Sequence, residues 1–331
     1  MVQKTGRLEK PHKTCTENEV RKANHTQHNP GAYAPDFFLF SRANRTMQCG
    51  IIVLSPLSED RKIDTRIVFS DVDGTLLDSR HRLSEKTLYS IKALQQKGIP
   101  FVIVSARAPS EIYPLHREYG FTSPVISYSG ALIVDENGEV LRSEGFSKDT
   151  ALEIIAFTED NCLDCTWNIY SVDTWTVKDR SDARVRWIES IVKVSPTQAD
   201  PKDMPENAVV SKVLLICNPE CIIGIEKKLK AAFGGLTVVK SSDVLIEIMQ
   251  GGTDKGNAVK TLCRLWDIPP EKTVAFGDNF NDIEMLEAVS VPFLMGNAPK
   301  ELKSRFKNIT DSNDDDGIYN ALVKRGIIDP I

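Results

Sequence analysis

The chain has 331 residues, of which 41% are hydrophobic, and this length and composition suit roughly two globular domains. Its net charge of −5 provides no global excess of positive charge for binding nucleic acid or anionic lipid. No apolar stretch approaches the roughly 20 residues that a membrane-spanning helix needs. The seven cysteines lack the compact spacing of a disulfide scaffold. We therefore expect a reduced, cytoplasmic protein that binds neither nucleic acid nor membrane, and the sequence leaves its oligomeric state open.

The first 62 residues differ in composition from the rest of the chain. They are polar and aperiodic, and they carry ten basic and six acidic residues. Such a stretch buries too little apolar surface to offset the entropy cost of ordering it. We therefore expect residues 1–62 to be a disordered N-terminal extension. The short apolar run of residues 50–54, "GIIVL", has no assignment.

From residue 66 onward, apolar strands alternate with amphipathic helices. The runs "RIVFS", "IPFVIVS" and "PVISYS" are typical of strands. The segment "LSEKTLYSIKALQQKG" is predicted to be a helix with Ser84 as its N-cap, and a second helix is predicted over residues 109–119. This alternation predicts a parallel sheet that helices cover on both faces. The run "ALIVDENGEVL" then predicts a hairpin.

The same alternation resumes at "DVLIEIM" and continues through "DKGNAVKTLCRLW", "TVAFGD" and "VPFLM". The stretch between the two halves has helices and strands of its own. We therefore predict an α/β fold with a Rossmann-like parallel-sheet core, built from residues 63–145 and 244–331. Residues 146–243 are predicted to form an inserted α/β cap domain.

Polar residues lie where several of the predicted core strands end. Open parallel sheets bind their ligands outside the carboxyl ends of the strands, so these side chains are candidates for one shared site. The candidates, in chain order, are Asp71, Asp73, Ser105, Lys255, Asp278, Asn281 and Asp282.

The residue types at these positions favour phosphate chemistry. Converging carboxylates repel one another, and a hard divalent cation such as Mg²⁺, which prefers oxygen ligands, relieves that repulsion. A lysine and a hydroxyl suit the remaining phosphate oxygens. A carboxylate can also attack phosphorus and form an aspartyl-phosphate. A regular strand would not direct the carboxylates of Asp71 and Asp73 to one point, so the strand must end there if both serve one site. Gly74 permits the turn that this requires.

In order, the segments "DVDGTLL", "VIVSAR", "DKGNA" and "GDNFND" resemble the four motifs of the haloacid dehalogenase-like (HAD) hydrolases. The position of the predicted cap between the second and third motifs resembles the Cof-type sugar-phosphate phosphatase branch. The resemblance covers residues 67–331. It implies an Mg²⁺-dependent phosphatase that hydrolyses small phosphorylated metabolites, sugar phosphates in particular, through an aspartyl-phosphate intermediate.

The resemblance also implies a role for each motif residue. Asp71 matches the nucleophile and Asp73 the general acid/base. The implied metal ligands are Asp71, Asp73 through its backbone carbonyl, and Asp278. The implied phosphate-binding residues are Val72, Ser105, Ala106, Lys255 and Asn281. Asp282 matches a carboxylate that braces the loop, and Trp175 lies in a stretch similar to a cap strand that approaches substrate.

The second motif departs from the common threonine-glycine-arginine form, because this chain has Ser105, Ala106 and Arg107. The hydroxyl is kept, so we expect phosphate binding to survive. Two interpretations of Arg107 stay open, a structural ion pair and a contact to substrate. Ser129 replaces the asparagine that is common after the third strand, and it is a shorter polar group at a position where the family contacts the leaving group.

Two alternative functions remain. A phosphosugar mutase of the phosphomannomutase type shares the form of the first motif, but "GDNFND" lacks the longer glycine-rich insertion of those enzymes. A non-catalytic binding protein with the HAD fold would have lost catalytic residues. Asp71, Asp73, Lys255 and Asp278 are all present, which disfavours this second alternative.

Overall fold

The computed structural model describes residues 64–331, and every structural statement below concerns these residues. The predicted N-terminal extension of residues 1–62, with its apolar run at residues 50–54, lies outside them. Among the described residues, no helix is both long enough and apolar enough to cross a bilayer.

The described residues form three β-sheets. In chain order, the strands are β1 (Ile67–Ser70), β2 (Phe101–Val104), β3 (Val125–Ser127), β4 (Leu132–Val134), β5 (Val140–Ser143), β6 (Phe146–Ser147), β7 (Cys165–Ser171), β8 (Thr174–Val177), β9 (Thr197–Gln198), β10 (Val209–Val210), β11 (Lys212–Cys217), β12 (Leu236–Lys240), β13 (Leu245–Gln250), β14 (Thr273–Gly277) and β15 (Val291–Leu294).

The largest of these sheets has seven strands in the order β15-β14-β1-β2-β3-β4-β5. The strands from β15 to β3 run parallel to one another, and β4 and β5 extend the sheet as an antiparallel hairpin. Strand β1 lies between β14 and β2, so the carboxyl ends of these three strands lie side by side. We call this sheet and the helices packed on it the core.

The second sheet has six strands in the order β12-β13-β11-β7-β8-β9, and every pair except β8–β9 is antiparallel. Strand β13 corrects one expectation. The sequence assigned "DVLIEIM" to a core that resumes at residue 244, but β13 pairs with β11 and β12. An apolar run predicts a strand but not its partners, because register and packing decide the pairing. We call residues 146–250 the cap.

Helices connect most of these strands. In chain order, the α-helices of the described residues are α1 (Glu85–Gln96), α2 (Pro109–Tyr119), α3 (Lys148–Asp160), α4 (Ala183–Val192), α5 (Ile222–Ala232), α6 (Lys255–Leu265), α7 (Ile283–Ala288), α8 (Lys300–Lys303) and α9 (Gly317–Lys324).

Local sequence determines where several of these helices begin and end. The hydroxyl of Ser84 accepts a hydrogen bond from the Thr87 N–H at 3.1 Å, as predicted for the N-cap of α1. Helix α2 begins at a proline and ends before Gly120, whose φ of 64° a glycine adopts without strain. The Asp254 carboxylate caps α6 by accepting from the Asn257 N–H at 2.7 Å. This cap makes Lys255 the first residue of α6.

Apolar side chains cover both faces of the core sheet. Along β1, Val68 packs in one cluster with Ile91 and Leu94 of α1, whereas Ile67 and Phe69 pack in another with residues of α6 and α7. Each fully buried side chain of this size contributes about 1.5–3 kcal/mol relative to an exposed one. The predicted fold class, a mainly parallel sheet with helices on both faces, is confirmed.

The cap packs against the core at the carboxyl ends of the core strands. Tyr170 of β7 and Leu214 of β11 belong to the same apolar cluster as core residue Val72. The turn between β7 and β8 is also held by polar contacts. The Tyr128 hydroxyl donates to the Val172 carbonyl at 2.8 Å, and the Ser110 N–H donates to the Asp173 carboxylate at 2.9 Å.

Candidate active site

Three neighbouring strands of the core deliver the predicted site residues to one edge of the sheet. Asp71 follows β1, Ser105 follows β2 and Asp278 follows β14. These strands are adjacent and parallel, so their carboxyl ends converge. A cavity of about 240 Å³ at this edge is lined by Asp71, Asp73, Ser105, Ala106 and Asn281, among others. The fold therefore brings these five predicted site residues together.

The Asp71 carboxylate is buried and tied to the first residue of α6. Its residue exposure is 6%, and the Lys255 ammonium donates to its Oδ1 at 2.5 Å. Among residues 64–331, no donor lies within hydrogen-bonding distance of its Oδ2. One carboxylate oxygen is thus anchored while the other remains available for chemistry.

Lys255 and Asp282 form a buried ion pair beneath Asp71. The Lys255 ammonium, in a side chain that is 1% exposed, lies 2.6 Å from Asp282 Oδ1. Asp282 Oδ2 accepts hydrogen bonds from the backbone N–H groups of Asp278 and Asn279, both at 3.0 Å. Both oxygens of Asp282 are therefore engaged, and this carboxylate holds the loop after β14 in place.

Burial and mutual repulsion shift the titration of these carboxylates. Burial, with the nearby charge of Asp282, raises the pKa of Asp71 to about 8. Burial likewise raises the pKa of Asp278 to about 6, although the hydrogen bond from Thr75 partly offsets this effect. Burial alone would lower the pKa of Lys255, but the charges of Asp282 and Asp71 outweigh it and raise that pKa. The site thus has more negative charge than the single ammonium offsets.

The acidic residues can also hold a metal ion. Within the described part of the chain, carboxylate oxygens of Asp71, Asp278 and Asp282 lie within 4.8 Å of one another. Asp282 is fully buried and is held by the Lys255 ammonium and two backbone N–H groups, so Asp71 and Asp278 are the better ligands. A donor set of carboxylate oxygens fits a hard divalent cation, and such a cation offsets the excess negative charge.

Backbone and side-chain contacts fix the position of Asp278. The Thr75 hydroxyl donates to Asp278 Oδ1 at 2.8 Å. Gly74 has a φ of 85°, and a Cβ atom there would lie 2.5 Å from Asp278 Oδ2. The glycine is therefore required twice, for the turn after Asp73 and for the close approach of the Asp278 carboxylate.

Two backbone N–H groups at the site are free. Within residues 64–331, neither Val72 N–H nor Ala106 N–H has a hydrogen-bond acceptor, although the Val72 residue is fully buried. The Ser105 hydroxyl, 2% exposed as a residue, accepts from the Arg107 N–H at 3.2 Å and keeps its own proton for another acceptor. Unpaired donors at a strand end suit an anion such as phosphate.

The Asp73 carboxylate points to Arg107 rather than into the acidic cluster. It accepts two hydrogen bonds from the Arg107 guanidinium, and His81 Nδ1 lies 3.8 Å away. Its side chain is 47% exposed. Arg107 is therefore an ion-pair partner of Asp73 in this structure, and the Asp73 carboxylate is not part of the acidic cluster.

The cap contributes residues that the sequence interpretation did not select. Tyr170, Lys212 and Glu247 line the cavity that contains Asp71. The sequence did hold a signal for Glu247, because a charged residue in the middle of the apolar run "LIEIM" is unusual for a buried strand.

Trp175 is placed differently from the expectation that it approaches substrate. It is 6% exposed, its ring stacks on Tyr170 with centroids 5.8 Å apart, and its Nε1–H donates to the Asn168 side chain at 3.0 Å. Tyr170 lines the cavity that contains Asp71, whereas Trp175 does not. Alternate residues of a strand face opposite sides, but the layer that lies over a residue is decided only by tertiary packing.

Comparisons with known proteins give the family. A family model described as haloacid dehalogenase-like hydrolase matches residues 68–322. A putative phosphatase of Haemophilus influenzae is 34% identical over 260 residues, which cover 78% of this chain and 98% of the relative.

Solved structures show the same fold. A protein of Thermotoga maritima superposes with a TM-score of 0.71 at 25% identity, covering 81% of this chain and 98% of that one. A sugar phosphatase of HAD subclass IIB superposes with a TM-score of 0.67 at 22% identity, covering 80% of this chain and 100% of that one. The family match spans most of the chain and includes all four motifs, and from this we conclude that the protein belongs to the haloacid dehalogenase-like hydrolases of the Cof type and is a phosphoric monoester hydrolase.

Proposed function

We propose that the protein is an Mg²⁺-dependent phosphatase of small phosphorylated metabolites, chiefly sugar phosphates, and that it acts through an aspartyl-phosphate on Asp71. The observation that carries this proposal is the Asp71 carboxylate itself. It is buried at the floor of a cavity, with one oxygen held by Lys255 and the other unpartnered among the described residues. A nucleophile needs this combination of fixed position and free lone pair.

The proposed reaction has two steps. Asp71 Oδ2 attacks phosphorus, the bond from phosphorus to the ester oxygen breaks, and Asp73 donates a proton to the leaving alkoxide. In the second step, Asp73 takes a proton from water, which attacks the aspartyl-phosphate and releases inorganic phosphate and the free Asp71 carboxylate. Over the two steps Asp73 gives up one proton and takes up one, so the reaction leaves it unchanged.

Other residues of the chain would hold the phosphoryl group during both steps. We assign this role to the free N–H groups of Val72 and Ala106, the Ser105 hydroxyl and the Asn281 amide. Ser105, Ala106 and Asn281 line the cavity, and Val72 follows Asp71 in the chain. Lys255 offsets the negative charge on Asp71. Mg²⁺, held by Asp71, Asp278 and the backbone carbonyl of Asp73, would supply the further positive charge that lets a phosphate dianion approach a carboxylate.

The likeness to the subclass IIB sugar phosphatase supports the choice of sugar phosphates. Moderate cavity size supports it too, since about 240 Å³ beside Asp71 suits a small ester better than a protein segment. We also propose that residues 146–250 form a separate cap domain, which moves the expected boundary from residue 243 to the end of β13. We place the activity in the cytoplasm, as the cysteine pattern predicts.

The test is phosphate release from a panel of phosphate esters, measured with Mg²⁺ and with excess chelator. Asp71→Asn keeps the shape of the side chain but removes its charge, so turnover should fall by several orders of magnitude. Asp160→Asn, an exposed change at the end of α3, is the matched control and should keep the wild-type rate. If Asp71→Asn hydrolysed an aryl phosphate at the wild-type rate, the mechanism would be refuted. If the wild type preferred phosphopeptides, the substrate class would be refuted.

A further inference from the structure

Two charged residues lie on the face of the cap sheet that packs toward the core. Lys212, Leu214 and Ile216 of β11 alternate with residues that face the opposite side. Glu247 of β13 is the register partner of Leu214, so it shares that face. Leu214 and Ile216 pack in the large apolar cluster. Lys212 and Glu247 therefore place charge on a face that is otherwise largely apolar.

The Lys212 ammonium lies where cap and core meet. It donates to the backbone carbonyl of Ala106 at 3.0 Å, beside the free Ala106 N–H. It also lies 5.1 Å from the ring centroid of Tyr170 and 5.5 Å from that of Tyr128. Its side chain is 7% exposed. The ammonium is thus held in place by a core carbonyl and two aromatic rings.

The Glu247 carboxylate has far fewer partners. Its side chain is 9% exposed, and Lys212 Nζ lies 3.5 Å from its Oε2, longer than a good charge-assisted hydrogen bond. Among residues 64–331, no hydrogen-bond donor pairs with either oxygen of this carboxylate. A carboxylate accepts up to about four hydrogen bonds, and a buried one without donors is unfavourable. The further donors for Glu247 therefore come from solvent or from a ligand in the cavities that it lines.

Glu247 lies at the junction of two cavities. It lines the cavity of about 240 Å³ that contains Asp71 and also a cavity of about 470 Å³ that contains Lys255 and Asn281. A phosphate ester with its phosphorus at Asp71 extends its alcohol portion from the core toward the cap. The donors that reach Glu247 would then belong to this alcohol.

This inference rests on the proposed function. We propose that Glu247, with Lys212 beside it, forms a subsite for the hydroxyl groups of the leaving alcohol and makes the enzyme selective for phosphate esters of small polyols. Hydroxyl groups donate to the Glu247 carboxylate and accept from the Lys212 ammonium. An alkyl or aryl ester of the same size offers neither contact and leaves the carboxylate buried without a donor.

A purely structural role explains this pair less well. Buried ion pairs add little net stability over apolar residues of similar volume, because both charges lose their hydration. A structural pair would also have shorter and more complete hydrogen bonds than the 3.5 Å contact between Lys212 and Glu247.

The experiment compares sorbitol 6-phosphate with n-hexyl phosphate, two primary six-carbon esters that differ in their hydroxyl groups. We expect wild-type kcat/KM to favour sorbitol 6-phosphate. Glu247→Gln should lower the ratio of the two kcat/KM values by about 10- to 100-fold, the effect of losing hydrogen bonds to a charged group. Glu206→Gln is the matched control, since Glu206 is an exposed cap residue that pairs with Lys148, and it should leave the ratio unchanged.

A second variant separates recognition from folding. The double variant Lys212→Met, Glu247→Leu leaves neither partner of the pair buried alone, and its melting temperature shows that it folds. It should nonetheless lose the preference for sorbitol 6-phosphate. An unchanged ratio in Glu247→Gln, or a folded double variant that keeps the preference, would overturn the subsite.

Binding measurements distinguish failure of the subsite from failure of the proposed function. Calorimetry on Asp71→Asn, with and without Glu247→Gln, gives the affinity for each ester without turnover. If no phosphate ester is hydrolysed by the wild type but sorbitol 6-phosphate binds in a Glu247-dependent way, the proposed function fails and the subsite stands. If the wild type hydrolyses esters, but neither the ratio of the two kcat/KM values nor the affinity for sorbitol 6-phosphate depends on Glu247, the subsite alone fails.

Discussion

The Arg107 guanidinium holds both carboxylate oxygens of Asp73, with Nε 2.9 Å from Oδ2 and Nη2 2.6 Å from Oδ1. The pair joins the loops that follow β1 and β2, and both residues line the cavity that contains Asp71. Bidentate contacts of this kind fix the direction of a carboxylate as well as its distance. Arg107 therefore determines where the Asp73 carboxylate points in this arrangement of the cap and core.

The first prediction is that Arg107 affects catalysis through Asp73. Asp73→Asn should slow hydrolysis of an alkyl phosphate by about 10²- to 10⁴-fold, the usual size of general acid–base catalysis. An aryl phosphate should be slowed less, because its leaving group needs little protonation. Arg107→Met should also slow the alkyl ester, and the double variant should be no slower than Asp73→Asn alone. Steady-state kinetics on both esters measures these rates. If the double variant were slowed by the product of the two single effects, Arg107 would contact substrate independently of Asp73.

The second prediction concerns the metal ligand Asp278. Asp278→Asn removes a charged oxygen from a site with few protein ligands, so the Mg²⁺ concentration for half-maximal activity should rise. Loss of a group that only hydrogen-bonds a metal ligand lowers metal affinity by roughly 10- to 100-fold. Loss of a direct ligand should raise the required Mg²⁺ concentration by at least as much. Asp267→Asn, an exposed change after α6, is the control. Mg²⁺ titrations of activity, with calorimetry of Mg²⁺ binding, measure the effect, and equal requirements in both variants would exclude Asp278 as a ligand.

The third prediction concerns stability at the buried ammonium. Lys255→Met leaves the carboxylates of Asp71 and Asp282 buried without their cation, so it should destabilise the protein by about 3–5 kcal/mol. Lys260→Met, an exposed change on the same helix, should stay within about 0.5 kcal/mol of wild type. Urea unfolding measures both. A loss below about 1 kcal/mol for Lys255→Met would show that the carboxylates do not depend on this ion pair.

The fourth prediction is that protein stability depends on pH through His116, a residue outside the candidate active site. Burial, with the charge of Arg117, lowers the pKa of His116 from 6.5 to about 4. Its Nε2 lies 3.0 Å from the Ser123 hydroxyl, and its ring packs edge-on against Phe121. The folded protein therefore keeps this imidazole neutral where the unfolded chain binds a proton.

The sign of the effect follows from proton binding. Between pH 6.5 and about 4, the unfolded chain binds more protons at His116, so stability falls as the pH falls. The slope from this group is at most about 1.4 kcal/mol per pH unit. His116→Gln should flatten the loss of stability across this window. Urea unfolding at several pH values tests this, and identical slopes for wild type and variant would contradict it.

The order of motifs along the chain was enough to predict the fold class and which residues the fold brings to one edge of the core sheet. Strand-end residues Asp71, Ser105 and Asp278 could be placed together because parallel neighbouring strands bring their carboxyl ends to one edge of the sheet. The helix that begins at Lys255 was also predictable, since its N-cap and apolar face are local features. Such features depend on residues a few positions apart, and a single chain displays them directly.

Contacts across the fold were decided by tertiary structure alone. The pairing of β13 with the cap, the burial of Trp175 behind Tyr170 and the hold of Arg107 on Asp73 all join segments whose proximity no spacing encodes. The same holds for Lys212 and Glu247, which line the cavity that contains Asp71 because the cap packs against the core there. Periodicity specifies which face of a strand is buried, whereas the residues that cover that face depend on how separate elements dock.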